Sequence, residues 1–135
     1  MVIINNPTVM ALKRDLDVGT LRQRVIADNL ANINTPGFKK SVVSFEEQLQ
    51  RALNSGDIPL RATHPRHIGM GKHPMEVQPK VERVTNTSLR PDGNNVSIDE
   101  EMVNSAAVEL KYNTSVQALN EYYSLISYVI TASRR

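Results

Sequence analysis

Three histidines in the middle of the chain, His64, His67 and His73, are the side chains best suited to bind a metal ion. Imidazole nitrogens bind zinc, but tight zinc sites usually need four ligands in a defined spacing. No cysteine or adjacent carboxylate completes such a set here. Pro65 and Pro74 also stiffen the backbone beside two of the histidines. We therefore expect a contact segment rather than a metal site, and the sequence predicts no cofactor.

The remaining reactive side chains form no catalytic motif. The sequence has no cysteine, no Gly-x-Ser-x-Gly turn, no phosphate-binding glycine loop and no His-Glu-x-x-His pair. Glu46-Glu47 and Glu100-Glu101 are accounted for by the N-termini of predicted helices, where the helix dipole favours negative charge. Basic residues do not cluster with aromatic ones, so a nucleic-acid surface is not predicted either. We expect a protein that is not an enzyme.

Length and charge restrict the class of protein further. At 135 residues the chain is long enough for one domain with a modest core, and it cannot form disulfides. The net charges of residues 1–39, 40–91 and 92–135 are +2, +3 and −3, which favours internal or head-to-tail pairing. No run of about 18 apolar residues occurs, so membrane insertion is not predicted. The N-terminus also lacks the pattern of a cleavable signal peptide.

The elements that position these residues begin with a helix predicted over residues 6–33. Asn6 is a good N-cap and Pro7 suits the first helical position. One apolar face of this helix contains the predicted packing residues Leu12, Leu16, Ile26 and Leu30. Gly19 weakens the helix interior and leaves open a close contact there. The pattern fits a helix packed within its own domain as well as one that packs partly on neighbouring subunits.

A second long helix is predicted over residues 97–132, where Ser97 and Glu100 have capping-box spacing. Its apolar residues follow alternating steps of four and three, which predicts a coiled-coil seam. The seam residues are Tyr112, Val116, Leu119, Tyr123, Ile126 and Ile130. The nearest partner is the first helix. A second apolar row (Leu110, Leu125, Val129) suggests further packing between subunits, although a helix satisfied within one chain stays open.

Between the two long helices the pattern is mixed. A short helix is predicted over residues 44–53 from a capping box and an apolar stripe. Residues 57–91 hold five of the seven prolines and no helical period. The valines of 77–84 indicate an extended segment, which Pro79 restricts to an edge strand. We expect an arm or binding loop, with local disorder or a small β-hairpin as alternatives. The predicted subunit-contact residues are Thr63, His64, Pro65, Arg66, His67 and Ile68.

A nine-residue stretch ends the first helix and reads Ala31-Asn32-Ile33-Asn34-Thr35-Pro36-Gly37-Phe38-Lys39. We call it the 31–39 turn. Pro36 disfavours a helical conformation at Thr35. Gly37 can turn with a positive φ at no steric cost, and Phe38 supplies an apolar anchor. Each of these residues alone is typical of an ordinary helix stop.

As a whole, the 31–39 turn resembles the N-terminal signature of bacterial flagellar basal-body rod and hook proteins. The defined positions of Ala-Asn-x-x-Thr-Pro-Gly-Phe-Lys are filled by Ala31, Asn32, Thr35, Pro36, Gly37, Phe38 and Lys39. The stretch from Asp92 to Met102, Asp-Gly-Asn-Asn-Val-Ser-Ile-Asp-Glu-Glu-Met, resembles the segment before the C-terminal helix of the proximal-rod member of that family. The chain length fits the same member, and residues 63–68 carry only a weak likeness.

Taken together, the sequence predicts a mainly α fold. Its two long terminal helices pair as an antiparallel, coiled-coil-like hairpin, with a short helix and a long Pro-rich segment, irregular or partly β, between them. Residues 1–39 carry the first helix and the turn, residues 40–91 the short helix and central arm, and residues 92–135 the heptad helix. Residues 1–39 and 92–135 would form one helical domain.

The resemblance implies a structural subunit of the proximal rod, in the periplasmic part of the flagellar basal body. Such a subunit self-assembles, transmits torque, lines the export channel and leaves the cell by type III export without a cleavable signal peptide. The implied partners are further copies of itself, other rod proteins, and membrane-ring, rod-adaptor and export-gate components, with no nucleic acid. The alternative is a soluble helical-hairpin adaptor at the export apparatus. Heptads alone indicate only helix association, so the preference for the rod rests on resemblance.

Overall fold

The computed structural model describes residues 7–47, residue 50 and residues 77–132. Two long helices dominate this part of the chain: α1, Pro7–Ala31, and α2, Ile98–Ala132. Two short strands, β1 (Ser41–Ser44) and β2 (Lys80–Arg83), lie between them in sequence. The prediction of a mainly helical chain with two long terminal helices is therefore confirmed, and both helices end within two residues of their predicted limits.

The two helices pack against each other in antiparallel directions. Near the start of α1, the carboxylate of Asp15 accepts a hydrogen bond of 2.6 Å from the hydroxyl of Ser115. Near its end, the amide of Asn29 donates one of 3.1 Å to Glu101. Position along α2 therefore falls as position along α1 rises, which is the geometry of a helical hairpin.

Gly19 lies at a close approach between the two helices. A Cβ atom at this position would lie 3.3 Å from Cδ2 of Tyr112, closer than side chains usually pack. The close contact that the sequence left open at Gly19 is therefore present, and its partner is an aromatic ring of α2.

The strands form a two-stranded antiparallel sheet in which Val43 lies opposite Val81. β2 begins directly after Pro79, as expected for a residue that cannot donate to a ladder. The extended segment predicted around residues 77–84 is thus observed. β1 was not predicted, because Ser44 fitted the N-cap of a short helix.

Of that predicted helix over residues 44–53, the backbone is helical at the described residues 46, 47 and 50. The remaining positions after residue 47 lie outside the described residues. So do residues 51–76, which include the predicted contact residues 63–68 and all three histidines.

A small apolar core fastens the sheet to α1. Val18, Phe45 and Val77 are buried together, and Val43 packs partly against them. The core therefore joins the middle of α1 to the residues that follow β1 and precede β2. Within residues 7–47 and 77–132, no helix is long and apolar enough to cross a membrane.

Candidate functional site

The 31–39 turn is docked on the segment that precedes α2, although the two are far apart in sequence. After α1 ends, the backbone amide of Asn32 donates to the carbonyl of Asp28 (3.2 Å), and that of Thr35 donates to the carbonyl of Asn32 (3.0 Å). The backbone amide of Gly37 then donates to the carbonyl of Asp92 at 2.9 Å. The segment that ends α1 therefore also contacts the segment that leads into α2.

Two glycines meet in this contact. Gly37 and Gly93 have φ values of 72° and 85°, which favour glycine over residues with a side chain. The positive φ predicted for Gly37 is thus confirmed. A Cβ atom at Gly93 would lie 3.7 Å from the Cα atom of Gly37, whereas one at Gly37 would meet nothing within 4 Å. Gly37 is therefore needed for its backbone conformation and not for space.

The side chain of Asn94 caps the turn and is completely buried. Its Nδ2 atom donates to the carbonyl oxygens of Asn32 (3.2 Å), Ile33 (3.0 Å) and Thr35 (3.0 Å). Its Oδ1 atom accepts a hydrogen bond of 2.7 Å from the backbone amide of Val96. Carbonyls at a helix C-terminus have no partner within the helix. The three carbonyls that Asn94 binds lie in the turn just after α1, and each also has one further donor. Asn94 joins them from across the fold and so fixes the direction in which the chain leaves α1.

Asn95, also buried, extends the contact to the other side of the segment. Its Oδ1 atom accepts from the backbone amide of Lys40 (2.6 Å), and its Nδ2 atom donates to the carbonyl of Val84 (2.8 Å). The ammonium group of Lys39 donates to the carbonyls of Thr87 (2.8 Å) and Gly93 (2.7 Å). We call Lys39, Asn94 and Asn95 the polar clamp, because they tie the turn, the end of β2 and the start of α2 together.

A second buried polar group joins the two helices to the sheet. Asn29 of α1 accepts from the backbone amide of Ser41 and donates to its carbonyl, both at 2.9 Å. The same Nδ2 atom donates to the buried carboxylate of Glu101 in α2 at 3.1 Å. Lys40 adds an ion pair of 2.6 Å with Glu100. A buried polar group is tolerated when its hydrogen bonds are made, so this set fixes the register of α1, β1 and α2.

A network of ion pairs lies further along the two helices. Lys111 pairs with Asp15 at 2.8 Å and approaches Glu46 at 3.6 Å, and Arg22 pairs with Glu46. The hydrogen bond from Arg22 is the main reason that the pKa of Glu46 lies below its ordinary value of 4.5. Desolvation by burial raises the pKa of Glu46 and so opposes this effect, whereas the positive charges of Arg22 and Lys111 lower the pKa further.

The predicted packing residues of both helices are distributed unevenly in the structure. On α1, all four (Leu12, Leu16, Ile26 and Leu30) are half-buried. On α2, four of the six (Tyr112, Val116, Leu119 and Ile126) are half-buried. Tyr123 and Ile130 are 44% and 54% exposed. They lie towards the end of α2, which at 35 residues is longer than the 25 residues of α1.

The second apolar row of α2 is exposed. Leu110, Leu125 and Val129 are 71%, 66% and 65% accessible, and Tyr128 is 72% accessible. From residue 113 to residue 132 the only charged side chain is Glu121. Such a surface is unusual for a helix that faces water and marks an interaction face.

A groove of about 380 Å³ lies between α1, β1 and α2. Its apolar walls come from α1, the sheet and α2, namely Val25, Ile26, Val42, Val43, Ala107 and Val108. The charged residues on its lining include Arg22, Glu46, Glu101 and Lys111. Among the described residues, no group of three or more His, Cys, Asp or Glu side chains is arranged to hold a metal ion.

Sequence reasoning did not find several of these contributors. Asn29, Glu101 and Ser115 lie buried in helices, where polar residues are normally exposed, and only their partners across the hairpin explain them. Asn94 and Asn95 belonged to a stretch that stood out by resemblance, but nothing in a single sequence indicated that their side chains cap α1. The predicted contact residues 63–68 stay a prediction, since they lie outside the described residues.

Comparison with known proteins places this geometry in context. A family model for flagella basal body rod proteins matches residues 20–39, which span the second half of α1 and the whole 31–39 turn. The chain is 34% identical to flagellar basal body rod protein FlgB of Borreliella burgdorferi, over 87% of this chain and 90% of that protein. It is 39% identical to FlgB of Borrelia hermsii, over 78% and 83% of the two chains. Similarity to FlgB of Bacillus subtilis is lower, at 28%, but covers 94% and 95%.

Proposed function

We propose a place and a mode of assembly for this chain on the premise that it belongs to the flagellar basal-body rod protein family. It is a structural subunit of the flagellar basal-body rod and assembles with other rod components. Our proposal is that it occupies the cell-proximal, periplasmic part of the rod. There it transmits torque, lines the export channel and performs no catalysis.

The observation that carries the assembly mode is the exposed apolar side of α2. Its large apolar side chains remain accessible while α1 already covers another side of the helix. Burying such side chains contributes roughly 1.5–3 kcal/mol each, so they stabilise an assembly when neighbouring subunits cover them. The polar clamp supports this role, because it fixes the relative position of the two helices within each subunit.

The finer partners follow from the same position. We infer that residues 1–39 and 92–135 act as one helical unit and that residues 40–91 reach neighbouring subunits. A cell-proximal subunit would contact membrane-ring, rod-adaptor and export-gate components. It would reach its site by type III export.

The proposed position in the rod can be tested with isolated basal bodies. They are prepared from cells that lack the endogenous gene and carry a tagged copy. We expect the chain in the rod density nearest the cell membrane by electron cryomicroscopy, together with restored swimming. If the chain is absent from the rod and is found instead in a closed one-to-one complex with an export component, the adaptor alternative replaces the proposal.

A further inference from the structure

The groove between α1, β1 and α2 has the character of a helix-binding site. It has apolar side chains from three different elements and is open to solvent. The charged groups around it already have partners within the chain: Arg22 pairs with Glu46, and Lys111 with Asp15. The groove therefore offers a partner no unpaired charge to neutralise, and we expect that partner to be apolar.

The far end of α2 displays a surface of that chemistry. Leu125, Tyr128, Val129 and Ala132 are all exposed and follow the spacing i, i+3, i+4, i+7. Helices that bind in apolar grooves anchor themselves at these positions. We call these four residues the apolar ridge. No charged residue lies within it or between its members.

We propose that the groove of this chain receives the uncharged apolar ridge on α2 of a second copy of the chain in the rod. The inference rests on the proposed rod assembly and names the surface through which one subunit holds the next. Charge decides between the candidate surfaces. The outer side of α1 exposes Lys13, Asp17, Arg24 and Asp28, and burying these in the groove would leave ions without partners.

The positions of the two surfaces determine the type of contact. The ridge begins at Leu125, 14 residues after Lys111, the last groove-lining residue of α2, a distance of about 21 Å at 1.5 Å per residue. Groove and ridge are different surfaces, so the groove of one subunit can hold the ridge of the next in a head-to-tail, heterologous contact that need not close. Successive subunits joined in this way are displaced along the helix axis, as an extended rod requires.

Photocrosslinking in isolated basal bodies tests this contact. A photoreactive phenylalanine analogue replaces Ala107, which lines the groove and is exposed. The matched control replaces Ala27, which is also an exposed alanine and lies on α1 beside Arg24 and Asp28. After irradiation, mass spectrometry identifies the crosslinked peptide. We expect the probe at Ala107, and not the probe at Ala27, to capture the C-terminal helix of a second copy of the chain.

Capture of any other segment at Ala107, or equal capture of that helix at both positions, would overturn the inference. The presence of the chain in the basal bodies is read independently, so the rod assignment can stand while the groove contact fails. Asn104 lines the same groove and provides a second probe position. If both groove variants fold by circular dichroism but do not enter basal bodies, while the Ala27 variant does, bulk in the groove blocks the contact, which supports it.

Discussion

Replacing Asn94 by aspartate tests the polar clamp, because the substitution exchanges only the side-chain NH2 group for an oxygen. The new carboxylate keeps an oxygen for the backbone amide of Val96. In place of Nδ2, however, it puts an oxygen against the carbonyls of Asn32, Ile33 and Thr35, at about the 3.0–3.2 Å that the amide now spans. Two donor hydrogens are lost, and a negative charge is buried among carbonyl dipoles.

The expected loss of stability follows from these contacts. Each of the three carbonyls keeps one other donor, but the introduced carboxylate oxygen is buried against them without a partner. A buried polar group in that state costs about 1–3 kcal/mol and a charged one more, so we expect a loss of about 2–6 kcal/mol at neutral pH. Single domains are stable by only about 5–15 kcal/mol, so this change removes a large part of the total. Asn94→Ala loses the two donor hydrogens and the acceptor but introduces no charge, and at about 1 kcal/mol for each of these groups we expect a loss of about 3 kcal/mol.

The pH dependence separates the two variants. Burial among acceptors raises the folded-state pKa of the introduced carboxyl above its unfolded value of about 3.9. The Asn94→Asp variant is therefore most stable below that value, where the protonated carboxyl can donate one hydrogen bond. It loses stability as the pH rises through the folded-state pKa. The deficit of Asn94→Ala relative to the wild type has no such dependence.

Urea unfolding followed by far-ultraviolet circular dichroism measures these differences, with each variant compared with the wild type at the same pH. The matched control is Asn113→Asp, the same chemical change at an exposed position of α2. We expect it to change stability by less than about 0.5 kcal/mol. An Asn94→Asp variant that is as stable as this control at neutral pH would refute the role of Asn94 in capping α1.

Three further predictions follow from other contacts. Gly19→Leu should destabilise the hairpin by about 1–3 kcal/mol in urea unfolding, because the leucine side chain would overlap the ring of Tyr112. Gly19→Ala should be nearly neutral, because the higher helix propensity of alanine offsets the close contact. If the two variants are equally stable, Gly19 has no packing role. Arg22→Met should raise the pKa of Glu46 in an NMR titration. Because that pKa is lowered in the folded state, the pair's small contribution, at most about 1 kcal/mol, is present above pH 4.5 and lost as the pH falls through the folded-state pKa. Hydrogen exchange should be fast over residues 119–132 in the isolated chain and slow in basal bodies, and strong protection in both would mean that the apolar ridge needs no neighbour.

The elements of this fold could be predicted because each has a local cause. Pro7 at the start of α1, the Thr35-Pro36-Gly37 stop and the acidic first turn of α2 are signals that a single sequence contains. The polar clamp could not be predicted in the same way. Asn94 fits any turn, and its role arises only when α1 brings three carbonyls to it from the other end of the chain.

β1 is a second element that the sequence alone does not predict, because here the local signal favours a different structure. Its four residues carry little strand propensity beyond two valines, and Ser44 has the spacing of a helix cap. The strand forms because its backbone is held at several points from outside: by Asn29 at Ser41, by Asn95 at Lys40 and by β2 along the ladder. Tertiary hydrogen bonds therefore overrode a local signal that pointed to a helix.

The register of α2 connects these limits to function. Its least exposed residues, apart from Val116, recur in steps of four and three, as a heptad seam does. They are Glu101, Ser105, Val108, Tyr112, Ser115, Leu119, Tyr122 and Ile126. Of the predicted seam residues, Tyr112, Leu119 and Ile126 belong to this set, whereas Val116 and Tyr123 each lie one residue beyond a member and Ile130 has no counterpart. The internal seam instead accommodates Glu101 and Ser115, since Asn29 and Asp15 lie opposite them.

Polar residues in the internal seam have a consequence for the outside of the helix. Met102, Tyr123 and Ile130, which a purely apolar seam would have placed against α1, lie exposed instead. Hydrogen bonds with specific partners fix the hairpin, while much of the apolar surface of α2 is left for contacts beyond the chain. A subunit built in this way keeps the register of its own helices before it meets a neighbour. The exposed apolar side chains of α2 are then left for neighbouring subunits to bury, as the proposed rod assembly requires.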